Sequence, residues 1–283
     1  MRLVVACLLL VLGLAPASAE NLWETLPVPA AMPTADKSGL APVNGIEMYY
    51  AIYGKGTEQR PPVLLLHGGL GNADYWGNQV PALTDAGYQV IVADSRGHGR
   101  STRNTEPFGY HLMAEDVIAL LDYLKVDQVA LIGWSDGGII GLDIAMNHPD
   151  RLTKLFAYGA NYDPTGLRAD IGDSKVFNAY IERAGADYAK LSPTPTEYDA
   201  FLEQIGQMWA TQPNYTADQL KAITVHTVIA DGAHDEGIEQ AHTAQMAALI
   251  PGAKLVILPD LSHFGMWQDP ATYNATLLEF LAN

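Results

Sequence analysis

The stretch Gly133-Trp134-Ser135-Asp136-Gly137 decides how this chain is read. It follows the apolar run Gln128-Val129-Ala130-Leu131-Ile132 and precedes a helix-forming segment from Gly138 to His148. That order describes a strand turning sharply into a helix. Such a turn presents its middle residue on a strained backbone, and glycines two positions to either side leave room for it. Ser135 is therefore the candidate nucleophile. Glycine and serine are common, so the five residues alone also fit a plain small-residue turn; the strand before and the helix after carry the assignment.

Working outward, the same alternation recurs. Gly45 to Gly54 is rich in β-formers and suggests one or two edge strands, and Pro62-Val63-Leu64-Leu65-Leu66 is a continuous apolar run of the kind buried on both faces of a parallel sheet. It closes in the turn His67-Gly68-Gly69-Leu70-Gly71. Gln89 to Ala93 ends in Asp94-Ser95-Arg96-Gly97-His98-Gly99-Arg100-Ser101, and Tyr110 to Lys125 carries Ala114, Val117, Ile118, Leu121 and Leu124 at helical spacing. Leu152 to Tyr158, Val225 to Ala230 and Lys254 to Leu258 read as further strands, with helices at Ile238 to Ile250 and Ala271 to Leu281. Strands alternating with helices predict an α/β fold: a doubly wound, mostly parallel sheet with function at the carboxyl ends of its strands. Between Gly159 and Ala222 the strand pattern lapses. Val176 to Ala184 and Tyr198 to Trp209 look helical, Ser192-Pro193-Thr194-Pro195 breaks them, and the segment reads as a helical cap inserted at about 160–222.

The N-terminus is expected to be removed. Arg2, the apolar run Leu3 to Leu14 and Ala17-Ser18-Ala19 fit a secretory signal over residues 1–19, cleaved after Ala19, which predicts a periplasmic or secreted protein. The run is shorter than the ~20 residues a spanning helix needs, so no lasting membrane insertion is expected. Too little apolar chain precedes Cys7 for lipidation. Cys7 is the only cysteine, so the mature chain would hold no disulfide, thiolate metal site or cysteine nucleophile. Residues 20–42, with Pro27, Pro29 and Pro33, read as an N-terminal arm before a single domain spanning 43–283. A hydrophobic fraction of 48% supports a sizeable core in a chain of 283 residues. The formal net charge of −16 argues against nucleic acid and anionic membranes as partners.

Together, His67-Gly68-Gly69, the Asp94 to Ser101 turn, Gly133 to Gly138, Gly232-Ala233-His234-Asp235 and Ser262-His263-Phe264 resemble the α/β-hydrolase superfamily from about Val43 to the C-terminus. The Trp-Ser-Asp-Gly-Gly wording is most similar to the biphenyl-hydrolase-like, or valacyclovir-hydrolase-like, esterases. The resemblance implies a nucleophile, acid and base in that chain order, which Ser135, Asp235 and His263 obey. A serine hydroxyl needs such a base, and the base an acid to orient it. Asp231 and Glu236 lie close to Asp235 but miss the Gly-x-x-Asp spacing, and Asp163 is the alternative acid. His67 and His98 belong to glycine turns used structurally in the family, and His148 ends a helix before Pro149. His111, His226, His234 and His242 have no motif around them. The oxyanion needs two backbone donors, for which Asp136 and Gly69 are the first choices and Leu70 the alternative.

The Asp136 side chain has two readings, a helix or loop hydrogen bond and a pocket-facing anion that would favour a substrate amine; the first is expected. Trp76, Trp134, Met208 and Trp209 are candidates for lining a pocket or cap, but such residues at these spacings are more often core, and they are read as core rather than site. No metal-ligand spacing is present, so no metal and no cofactor are expected. The expected activity is hydrolysis of a small-molecule carboxylic ester or related acyl bond through an acyl-enzyme. The alternatives are a lactonase, a prolyl-type aminopeptidase, a carbon–carbon bond hydrolase, a cofactor-free haloperoxidase or perhydrolase, and a binding protein on a hydrolase scaffold. The sequence sets no oligomeric state.

Overall fold

A computed structural model describes residues 21–57 and 60–283. The signal-peptide reading and Cys7 lie outside the described residues. One eight-stranded sheet organises the rest, built from β1 (Lys37–Val43), β2 (Ile46–Tyr53), β3 (Val63–Leu66), β4 (Val90–Ala93), β5 (Val129–Trp134), β6 (Leu152–Tyr158), β7 (His226–Gly232) and β8 (Lys254–Leu258). Their order across the sheet is β1-β2-β4-β3-β5-β6-β7-β8. The β1–β2 and β2–β4 pairs are antiparallel and all the others parallel.

The sequence explains this layering. β3, β4 and β5 are apolar at nearly every position and wholly buried, as parallel strands covered on both faces must be. The covering helices are α1 (Gln79–Asp85), α2 (Tyr110–Leu124), α3 (Asp136–Asn147), α7 (Gln240–Leu249), α8 (Gly265–Gln268) and α9 (Pro270–Ala282), with α4 to α6 reserved for the cap described below. No helix among the described residues is long and apolar enough to cross a membrane.

The winding reverses at β3. The chain passes from β3 to β4 on one side and returns to place β5 on the other, so β3 and β5 lie in register with Leu66 opposite Gly133. The loops that leave these two strands, His67 to Gly71 and Ser135, therefore emerge side by side at the carboxyl edge. This is the crevice in which open α/β sheets hold ligands.

One boundary differs from the sequence reading. The sheet begins at Lys37, inside the stretch read as an arm, because β1 tolerates Gly39 and Pro42 as an edge strand with one side unpaired. Residues 21–36 are irregular but engaged: Trp23 stacks on His234 with ring centroids 3.8 Å apart, and the Leu26 and Pro27 carbonyls accept from Arg183. The segment between β6 and β7 carries α4 (Lys175–Leu191), α5 (Tyr198–Trp209) and the short α6 (Ala217–Lys221). α6 is held by a capping box between Thr216 and Gln219 that the sequence reading passed over.

The Asp94 to Ser101 turn is a buried polar brace. Arg96 makes a bidentate pair with Asp116 of α2 at 2.7 and 2.8 Å, both side chains being essentially without solvent. Ser95 N–H donates to His67 Nε2 at 3.0 Å, and Asp94 accepts from Ala73 N–H at 2.6 Å. Breaking one half of such a pair strands a charge, so Arg96→Met should cost about 3–5 kcal/mol of stability, read as a fall in the urea midpoint at unchanged slope.

Candidate active site

β5 delivers Ser135 to the start of α3 with φ +54° and ψ −120°, a conformation L-residues rarely adopt. Its N–H donates to the Tyr158 carbonyl at 2.7 Å, and its carbonyl accepts from Gly138 and Ile139, so the turn is pinned on both sides. Gly137 is required because a Cβ there would overlap the carbonyl of Leu66 on β3. The strain expected from the five-residue pattern is thus present at its middle residue.

His263 lies in the loop between β8 and α8 and is gripped at three points. Its backbone N–H donates to Glu236 Oε2 at 3.0 Å, its carbonyl accepts from Trp134 Nε1 at 2.9 Å, and its ring Nδ1 meets Asp235 Oδ2 at 2.7 Å. Asp235 sits just past β7 and turns its other oxygen to the Gly237 and Ile238 amides at 2.6 and 2.7 Å. Gly159, with φ +60°, closes the space behind this pair: a Cβ would stand 2.9 Å from the imidazole. With Nδ1 donating to the carboxylate, Nε2 is left as the basic nitrogen.

The three acids that competed for this role differ in place. Asp231 is fully buried, accepting from Gly232 N–H and Thr243 Oγ1, each at 2.8 Å. Asp163 caps a turn at Thr165, and Glu236 holds the His263 backbone rather than its ring.

Burial and charge set the protonation states. Burial opposes protonation of His263, but the Asp235 charge and hydrogen bond, aided by Glu236 and Asp136, outweigh it and raise its pKa. Burial would likewise raise Asp235, yet the His263 charge and bond, a hydrogen bond from Asp231 and the Ile238 amide hold it below the usual carboxylate range. The pKa of Asp231 is pushed well up by burial and by the charge of Asp235.

Asp136 follows Ser135 as the first residue of α3, where helix geometry leaves its N–H without an intrahelical acceptor. The Gly69 and Leu70 amides also lack a protein acceptor among the described residues, and Leu70 has φ +65°. Ser135, Asp136, Gly69, Leu70 and His263 all line one cavity of about 270 Å³. The Asp136 carboxylate does not bond its own helix. Oδ1 accepts from Tyr110 OH at 2.8 Å and Oδ2 from Trp209 Nε1 at 3.0 Å, while burial raises its pKa to about 6 against those bonds.

The cap closes the cavity with Phe177, Tyr180, Ile181 and Trp209. Tyr180 OH donates to the Gly69 carbonyl at 2.6 Å, tying α4 to the loop after β3. Trp134 and Trp209, read from sequence as core, both face the cavity, and Trp76 is core. Sequence reasoning missed Tyr110, Gly159 and Tyr180 as neighbours of the site; only the amphipathic patterns of α2 and α4 hinted at the aromatic ones. Of the histidines without a motif, His242 stacks on Tyr162 at 4.2 Å and His111 pairs with Asp143 at 2.9 Å, both away from Ser135. His67 donates to the Gly68 carbonyl while accepting from Ser95, and burial lowers its pKa, so it stays neutral and structural.

Comparisons with known proteins agree with this architecture. The family described as the alpha/beta hydrolase fold matches residues 61–189. RutD of Caulobacter sp. (strain K31), a candidate carbamate hydrolase, is 27% identical over 268 residues, covering 83% of this chain and 96% of its own. Serine hydrolase BPHL of Mus musculus is 28% identical over 249 residues, covering 81% of each chain. The meta-cleavage product hydrolase CumD from Pseudomonas fluorescens IP01 superposes with a TM-score of 0.75 at 21% identity, covering 88% of this chain and 99% of that one. With its sheet wound in this order and relatives aligned over most of its length, the chain has the α/β-hydrolase fold and is similar to enzymes that carry it.

Proposed function

We propose that the chain is an exported serine hydrolase that cleaves a carboxylic ester or related acyl bond through Ser135, His263 and Asp235. The observation that carries this reading is the 2.7 Å His263–Asp235 bond, whose imidazole opens onto the same cavity as a serine held at φ +54°. Export rests on the Arg2 to Ala19 segment, with the mature chain starting at Glu20.

In this mechanism His263 Nε2 takes the proton of Ser135 Oγ as the oxygen attacks the substrate carbonyl. The resulting oxyanion is met by the Asp136 amide and by the amide of Gly69 or Leu70. Collapse expels the alcohol, which receives its proton from His263, and leaves an acyl-serine. Water, deprotonated by the same imidazole, then releases the acid and restores Ser135. Asp235, held below the usual carboxylate range by His263, stays ionised throughout and stabilises the imidazolium.

A fluorophosphonate probe should label the mature protein at Ser135, and a panel of p-nitrophenyl esters, lactones and aminoacyl arylamides should yield ester turnover. Ser135→Ala should abolish labelling, and Asp235→Asn should lower kcat by about 10⁴-fold at unchanged KM. Labelling that survives in Ser135→Ala would refute the assignment.

The reaction needs His263 neutral, and its pKa is raised, so kcat/KM should fall on acidification at a pH above the ordinary imidazole value of 6.5. Glu236 contributes one of the charges behind that shift. Glu236→Gln should move the acid limb to lower pH while keeping the plateau rate, and a profile identical to wild type would exclude the charge as its cause.

A further inference from the structure

We propose that Tyr110 and Trp209 determine the acyl specificity of this site by occupying the Asp136 carboxylate, so that the cavity selects small uncharged acyl groups. The inference rests on the hydrolase reading above and adds to it a substrate class.

The cavity wall is mostly apolar, formed by Leu70, Ile171, Phe177, Ile181 and Ile238 together with the indole of Trp209. Among the described residues no lysine or arginine lines it, and Asp136 is its one carboxylate. An acyl chain ending in a carboxylate would lose its hydration there without finding a cation, and would lie near a like charge. Burying an unpaired ion in this way is strongly unfavourable. Anionic acyl groups are thereby excluded.

Cationic groups are a different matter, because a carboxylate in an apolar cavity is where an ammonium would bind. This carboxylate is already engaged. Tyr110, the first residue of α2, donates to Oδ1 at 2.8 Å, and Trp209, the last residue of the cap helix α5, donates to Oδ2 at 3.0 Å and reaches Oδ1 at 3.2 Å. Asp136 is 5% exposed, with Trp209 and Asp136 Oδ2 both packed over the Gly69 backbone. An ammonium could pair with it only by displacing the indole N–H, and with it the end of α5. The remaining polar lining, Asn161, Asn178 and Gln212, is neutral. At about 270 Å³ the space falls just below the roughly 300–1,000 Å³ of ordinary small-molecule sites, which fits a short chain rather than a long lipid.

Three esters of one chain length test this: p-nitrophenyl hexanoate, p-nitrophenyl 6-aminohexanoate and the p-nitrophenyl monoester of adipic acid, at pH 8. In the wild type kcat/KM for hexanoate should exceed that for the amino ester by about tenfold and that for the acid ester by about a hundredfold, the penalty of an unpaired buried charge. Trp209→Phe and Tyr110→Phe keep the aromatic bulk and remove one donor each. Each should raise the ratio of amino ester to hexanoate by about fivefold, since the freed carboxylate can then accept the ammonium. A wild type that takes the amino ester or the acid ester as fast as hexanoate overturns the proposal. So does an unchanged ratio in both variants when their fluorophosphonate labelling matches wild type. If one variant fails to label, the other and the wild-type ratios decide. Absence of labelling in the wild type would instead refute the hydrolase reading, which keeps the two failures distinct.

Discussion

The pairing of β3 with β5, Leu66 opposite Gly133, is the constraint on which the rest of this structure depends. Both strands are buried on both faces, so neither can slip without exposing a row of apolar side chains or unpairing backbone groups inside the core. Fixed register places the two loops that leave these strands beside each other. One holds the amides of Gly69 and Leu70, and the other holds Ser135 and Asp136. Close packing then does the rest: α3 must rise immediately from β5 and pass over Leu66, which leaves no room for a side chain at Gly137 and forces the reversal onto Ser135. The strain at the serine is a consequence of sheet geometry, held by Tyr158 on one side and the first turn of α3 on the other.

The second organising principle is electrostatic. Four carboxyls lie close together in or beside the site, and their surroundings drive them to different states. Asp235 meets an imidazole and two amides and stays charged. Asp231 has only a hydroxyl and one amide to set against complete burial, and its pKa is driven well up. Glu236 spends one oxygen on the His263 backbone, and burial raises its pKa. Asp136 is satisfied by a phenol and an indole from two different helices. The result is one firmly ionised acid in contact with the base, which is the arrangement an imidazole needs if it is to become cationic during a reaction.

Much of this was legible in the sequence because it rests on local signals. Runs such as Val63 to Leu66 and Val129 to Ile132 announce buried parallel strands, and the glycine turns that end them mark the carboxyl edge. The choice of Asp235, rather than Asp231 or Asp163, followed from the Gly-x-x-Asp spacing that the resemblance implies, and the structure puts Asp231 within β7 and Asp235 just past its end. What escaped was of two kinds. β1 hides behind Gly39 and Pro42, which only an unpaired edge forgives. The partners of Asp136 come from residues far apart in the chain, Tyr110 and Trp209, brought together only when α2 and the cap pack over the sheet edge. No period or motif encodes such a meeting; a lone tryptophan at the end of an amphipathic helix reads as core until its indole N–H is seen to need an acceptor.

That meeting also changes the meaning of the cap. A lid that touched the body only through apolar side chains could shift as a unit at little cost in specific contacts. Here two polar bonds tie it to the candidate site itself, Tyr180 to the carbonyl of Gly69 and Trp209 to the carboxylate of Asp136. Both anchor residues also carry the amides assigned to the oxyanion, so the position of the cap and the aim of those amides are mechanically coupled. Moving α5 away leaves a buried carboxylate short of a donor, and moving α4 away frees the loop after β3. The closed cap therefore belongs to the preorganisation of the site as well as to its enclosure, and the geometry that would meet a developing negative charge is complete only while the cavity is shut.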